Sequence, residues 1–160
     1  MGATRSKAQK AGWAKSWGPW AGLLGLLGLW AYFHFQVLFL GHNFVYLDAG
    51  NFFYPLWEWG ARVWRSGFLP LWDPDAAFGF PAVADPENLT WYPPKIVLYL
   101  LFPAGTAFKL LGLGHSLWLL LGFWLFARDR GAAGWPAAFG TVAFGFGFES
   151  VALLTGASAL

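Results

Sequence analysis

Three groups of carboxylates have the spacing to do chemistry. Asp73 and Asp75 stand two apart in WDPDAAF, an Asp-x-Asp pair whose hard oxygens could hold a divalent metal beneath a nucleotide-sugar diphosphate. That use belongs to the end of a strand in a soluble nucleotide-binding domain, which this chain does not offer. The expected alternative is a turn in which the Asp side chains accept bonds from nearby backbone amides. Asp85 and Glu87 in ADPEN divide in the same way between turn formation and ligand contact. Asp48 follows directly on an uncharged run, Ser16 to Leu47, where a charge is unfavourable unless it meets water, a partner or a substrate. It could serve as a general base on a hydroxyl, or simply mark the membrane boundary and cap the next helix.

Cations, imidazoles and glycines extend this set. Arg62 and Arg65 could grip a phosphate at a membrane surface, since guanidinium matches phosphate oxygens, or form a solvated helix face. His42 lies close in sequence to Asp48 and could assist proton transfer or orient a substrate, whereas His34 and His115 fall inside apolar runs, where a neutral imidazole bonded to another helix is expected. If the chain were part of a transporter, His34, His115 and Glu149 would line its path. Asn88-Leu89-Thr90 fits the glycosylation sequon. No cysteine occurs, which excludes disulfides, thiolate metal sites and thiol nucleophiles, and no histidine stands at zinc-ligand spacing. The many glycines are expected to permit close helix packing rather than to cradle phosphate.

The elements that must position these residues are membrane elements. Hydrophobic residues make up 58% of the chain, charged residues 11%, and 34 of 160 residues are aromatic, far from the balance of a soluble domain. The net charge of +2 is unevenly spread. Arg5, Lys7, Lys10 and Lys15 form a basic tail, and the stretch from Asp48 to Glu87 holds six carboxylates against two arginines. This asymmetry points to orientation across a bilayer and not to a nucleic-acid partner. The expected fold is an all-α integral membrane protein with about three transmembrane helices and an extracytoplasmic loop carrying an amphipathic interfacial helix. Residues 1–17 form a cytoplasmic tail, 18–40 the first transmembrane helix, and 41–106 the outer loop with its interfacial helix over 51–66. Residues 107–127 form the second transmembrane helix, 128–131 a cytoplasmic turn, 132–149 the third, and 150–160 its outer end. In the interfacial helix, Phe52, Leu56, Trp59, Val63 and Trp64 share one face, Glu58, Arg62 and Arg65 lie mostly opposite, and Asn51 serves as N-cap. Ile96–Phe102 is too short to cross and is expected to be interfacial or re-entrant. Six prolines between residues 70 and 94 stiffen the rest of the loop.

The order Asp48, YPLWEW, SGFLPLWDPDAAFGFPAVADPENLTWYPP, then an apolar stretch and a span, resembles the amino-terminal region of the YfhO family of bacterial membrane proteins, which belong with the glycosyltransferase C superfamily. The resemblance covers roughly residues 40 to 155. It implies the front part of a large helical enzyme of the bacterial cytoplasmic membrane, multi-pass, with the amino terminus cytoplasmic. Such an enzyme uses a polyprenyl-phosphate sugar as donor and glycosylates a glycan or envelope-polymer acceptor on the outer face. Asp48 falls on the family's catalytic aspartate. Trp57, Trp59 and Trp72 would stack on sugar or contact the lipid chain, and His42, Arg62, Arg65, Asp73, Asp85 and Tyr92 would complete the substrate-facing set. The family pattern implies asparagine where this chain has Asp73 and Asp85, and the two extra acids could repel a phosphate or recruit a divalent cation. No cofactor is firmly implied. An amino-terminal part alone lacks the later loops that complete a donor site, so it is expected to be inactive by itself. A non-catalytic accessory or assembly subunit is the alternative from a different class.

Overall fold

A computed structural model describes residues 18–44, 49–132 and 134–147. Among them the chain is all helical, without a strand. Helix α1 covers Gly18–Phe33 and a short α2 covers Phe35–Phe39. A wide π-type turn, Ala49–Phe53, leads into α3, Tyr54–Arg65. After the proline-rich loop, α4 spans Pro93–Leu101, α5 spans Ala104–Asp129, and α6 spans Trp135–Gly147.

Local chemistry explains the boundaries. The expected single helix over 18–40 is interrupted at His34, where the backbone reaches φ −95° and ψ 14°. The carbonyl of Trp30 there accepts both the His34 backbone N–H at 3.0 Å and His34 Nδ1 at 2.9 Å. An imidazole competing for a helical carbonyl loosens the ladder at that turn. The interfacial helix begins differently from expectation too. Asn51 lies inside the wide turn, and no side chain caps α3. Pro55 is tolerated in its first turn, where the missing N–H has no partner to lose. Pro93 and Pro94 open α4 in the same way, and Pro103 separates it from α5. Gly67 and Gly131, at φ 86° each, end α3 and α5 with the left-handed turn that glycine adopts most readily.

Helix α5 is the axis of the molecule, because its two halves serve two separate cores. Toward its C-terminal end, Leu120 and Trp124 pack with Leu26 of α1 and with Ala137 and Ala138 of α6. Gly22 lets the Trp124 ring approach, since a Cβ there would stand 3.0 Å from it. Phe123 stacks on Phe144 at 4.5 Å, and Phe33 meets Phe146 at 4.8 Å. Trp30 Nε1 donates to Ser116 Oγ at 2.9 Å, tying α1 to the middle of α5. Toward the N-terminal end, Ala107 and Phe108 pack with Ala61 of α3 and Tyr99 of α4, and Phe44, Ala49, Phe53, Tyr54 and Trp57 close round them. Gly112 marks the changeover, with the Phe44 ring seated where a Cβ would stand 2.8 Å away.

With 26 residues, α5 is about 39 Å long at roughly 1.5 Å per residue, enough for a hydrocarbon layer of about 30 Å. It is long and apolar enough to cross a membrane, and no other helix among the described residues is; the apolar helix Trp20–Phe33 is shorter. The helix surfaces turned away from the two cores remain apolar. Trp118 is 81% exposed and Phe139 77%, which soluble surfaces seldom tolerate in quantity.

Candidate functional site

The proline-rich loop is a folded unit with a polar centre. Asn88 is completely buried. Its Nδ2 donates to the Ala82 carbonyl and to Thr90 Oγ1, both at 3.0 Å, and Thr90 Oγ1 donates to the same Ala82 carbonyl at 3.2 Å. Lys95, third residue of α4, is only 5% exposed. Its ammonium donates to the Asn88 backbone carbonyl and, at 3.3 Å, to Asn88 Oδ1. It also stands 5.4 Å from the centre of the Trp57 ring, and Trp57 Nε1 donates to the Glu87 carbonyl at 3.0 Å. A buried cation is thus held by carbonyl oxygens and an aromatic face, with no carboxylate bridging to it among the described residues. Burial pushes the Lys95 amine down from its ordinary 10.5 to about 8.

The sequence reading passes over Lys95 and takes Asn88 only as part of a sequon. The available signal was a lone lysine inside PPKIVLYLLF, an otherwise apolar run where an ionisable group needs a partner. The same geometry shows what the sequon asparagine does in the fold. Both amide hydrogens are used and the side chain is sealed, so no sugar can be attached in the folded state.

The acids resolve as turn devices. Asp73 is 6% exposed, and its Oδ1 accepts the Asp75 backbone N–H at 3.0 Å. Asp85 Oδ1 accepts the Glu87 N–H at 2.9 Å and caps the 3₁₀ turn Pro86–Asn88. Asp75 and Glu87 face solvent. No group of three or more metal-ligating side chains forms among the described residues. An asparagine Oδ1 would accept the same bonds at either position. Asp73→Asn and Asp85→Asn should therefore each shift stability by less than about 0.5 kcal/mol, whereas Asp73→Ala should remove about 1 kcal/mol or more. Chemical denaturation of the three variants in detergent checks this.

The remaining candidates separate in space. Arg65, expected on a phosphate-facing surface, sends Nη2 to the carbonyls of Tyr99 and Phe102, 2.5 Å from each. It thereby satisfies the carbonyl end of α4, where a cation also suits the helix dipole. Arg62 is exposed. Tyr92 pairs with His115 on α5, its phenol 2.5 Å from Nε2, while His115 Nδ1 bonds the Leu111 carbonyl at 2.7 Å. With Nδ1–H given to the Leu111 carbonyl, a neutral His115 accepts the phenol's hydrogen at Nε2. Trp72 is 57% exposed and lies over Gly79. His42 is half-buried, with its backbone N–H on the Gln36 carbonyl. His34 is buried, and its Nε2 has no partner among the described residues.

Asp48 and Glu149 lie outside the described residues. The nearest described neighbours of Asp48, Phe44 and Ala49, both pack into the core around Ala107 and Phe108. Asn43 Nδ2 donates to the Gly105 carbonyl at 2.8 Å, fixing the same chain segment to the first turn of α5. In that core the Tyr99 hydroxyl is buried without a partner among the described residues. Burial, and the facing Tyr54 and Glu58, push its pKa well above the ordinary value.

Among the described residues, the fold and these groups define an all-helical arrangement with one helix able to cross a membrane and a compact polar-centred loop braced against that helix. Comparison with protein-family models, with curated proteins and with solved structures finds no match.

Proposed function

We propose that the chain is the amino-terminal part of a glycosyltransferase-like integral membrane enzyme, transferring a sugar from a polyprenyl-phosphate donor to an extracytoplasmic glycan or envelope-polymer acceptor. In this reading three spans, to which α1, α5 and α6 belong, place the basic tail and the Arg128/Arg130 turn on the cytoplasmic side. The loop of residues 41–106 then faces outward. Asp48 acts on the acceptor hydroxyl as general base, and cationic groups stabilise the departing lipid phosphate.

The observation that favours this reading is that two parts of the resemblance-bearing stretch, YPLWEW and ADPEN, meet at one core. Phe44 and Ala49, which flank the Asp48 segment, pack there with Trp57, and Trp57 and Lys95 hold the ADPENLTWYPP stretch against it. These two segments are therefore held against the N-terminal end of the helix able to cross a membrane, where a lipid-linked donor would arrive.

Asp48→Asn in the full-length protein should abolish sugar transfer to an extracytoplasmic acceptor, with expression and membrane insertion unchanged. Transfer and insertion are measured in the same membranes, and normal transfer by this variant would remove Asp48 from catalysis.

A further inference from the structure

The stretch LWDPDAAFGFPAV forms a small, heavily braced projection from the loop. Asp73 and Phe80 exchange both backbone hydrogen bonds, at 2.8 and 2.7 Å, and Val83 N–H reaches the Leu71 carbonyl at 3.2 Å. The buried Asp73 carboxylate accepts the Asp75 amide, and Gly79 N–H closes the tip onto the Ala76 carbonyl at 2.8 Å. Three successive residues in that tip take positive φ: Ala77 at 49°, Phe78 at 64° and Gly79 at 112°. Glycine is needed at 79 for a second reason, since a Cβ would stand 2.6 Å from the Trp72 ring. Two non-glycine residues in a left-handed conformation are held there only because the surrounding bonds over-determine the turn.

The result of that strain is a phenyl ring pointed away from the protein. Phe78 is fully exposed, Phe68 is 71% exposed and Trp72 57%, with Leu69 and Leu71 also open. A large apolar side chain normally collapses onto its own core, and here the backbone is bent to prevent it.

We propose that residues 71–83 form a hydrophobic finger that seats Phe78 and Trp72 in the hydrocarbon edge of a lipid bilayer. The proposal rests on the membrane placement above but not on sugar transfer. Three observations favour hydrocarbon as the occupant. The Tyr92–His115 bond fixes the end of the loop to the middle of α5, the helix able to cross a membrane. Val97, Leu100 and Leu101 on α4, the helix that follows the loop, are exposed apolar side chains too. The finger also turns the Asp73 carboxylate inward, leaving Asp75 as its one outward charge. Tryptophan and phenylalanine on such a projection suit the boundary between headgroup and acyl chain.

No cysteine occurs in these 160 residues, and the full-length parent without an introduced cysteine serves as the labelling blank. Full-length Phe78→Cys and Asp75→Cys variants, reconstituted into phosphatidylcholine–phosphatidylglycerol vesicles, are treated with a membrane-impermeant maleimide before and after detergent solubilisation. Burial of a large apolar side chain predicts that Phe78→Cys labels at least about tenfold more slowly in vesicles than in detergent, with Asp75→Cys changing less than about twofold. A nitroxide on the Phe78→Cys variant should collide with oxygen more often than with a water-soluble nickel chelate. Equal labelling of both variants in vesicles, or a nitroxide favouring nickel, overturns the finger. Protection that vanishes when the protein is diluted in lipid places a second copy of the chain there and overturns the bilayer as occupant. The nitroxide readout works in either leaflet, so a loop found on the cytoplasmic side would overturn the outward-facing enzyme while the finger is still decided.

Discussion

Asn88→Leu should destabilise the loop by about 3–5 kcal/mol, more than a typical single substitution, because it breaks a buried network at its shared member. The change keeps the approximate volume and removes every side-chain bond Asn88 makes. Ala82 loses one of its two donors, Thr90 loses one partner, and the Lys95 ammonium keeps only the backbone carbonyl and the Trp57 face. Leaving a buried cation under-solvated is the dominant loss, since an unpaired buried group forfeits its hydration without compensation. Trp57 should report it. Its indole bonds the Glu87 carbonyl next to Asn88, so limited proteolysis should open the chain between residues 68 and 92 while the core formed by α1, α6 and the C-terminal half of α5 stays resistant. Uniform resistance in the variant would mean that the loop is held by its prolines and apolar contacts alone.

This behaviour was only partly legible in the sequence. The uncharged run between Lys109 and Arg128 announced α5 to within a few residues, because length and apolarity suffice for a helix of that kind. The interruption at His34 was not announced, since it depends on one imidazole turning back to the Trp30 carbonyl, which leaves no mark in hydrophobic periodicity. The protein-facing side of α3 was not legible for a related reason. Periodicity groups Phe52, Leu56, Trp59, Val63 and Trp64 on a face suited to the headgroup layer, and the structure packs Tyr54, Trp57 and Ala61 against α4 and α5. When both faces of a helix are aromatic, hydrophobicity cannot distinguish a protein neighbour from lipid. Small Ala61 and Gly60 were the better signal, because they let the helices approach.

The candidate site divides in the same way. Proline and aspartate spacing identified the turns at 73–75 and 85–87, because an Asp side chain bonding an amide two residues on is a local event. Arg65 and Lys95 act at 34 and 7 residues' separation, and their partners are backbone carbonyls that any residue could supply. Residue type alone therefore suggested phosphate for Arg65, while the fold spends its guanidinium on the end of α4.

Lys95 supplies the most direct test of the loop's polar centre, through the pH dependence of stability. In the unfolded chain the amine titrates near 10.5, and in the fold at about 8. Between those values the unfolded chain binds more protons, so stability should be insensitive to this group below about pH 8, rise with pH from there to about 10.5, and level off above. The gap corresponds to a gain on the order of 3 kcal/mol, the penalty of burying the ammonium being relieved once the folded amine is neutral. Lys95 is nearly sealed from solvent, so salt should screen the effect little. Other groups titrate in this window, which makes Lys95→Met the decisive comparison. Methionine fills the same channel beneath Trp57 without a charge, so the variant should lie close to the parent at pH 7, trading two hydrogen bonds for a desolvation penalty it no longer bears. Its stability curve between pH 8 and 10.5 should lack the parent's rise. Denaturation midpoints of both proteins across that range measure the difference, and parallel curves would show that the Lys95 amine keeps its ordinary affinity for protons inside the loop.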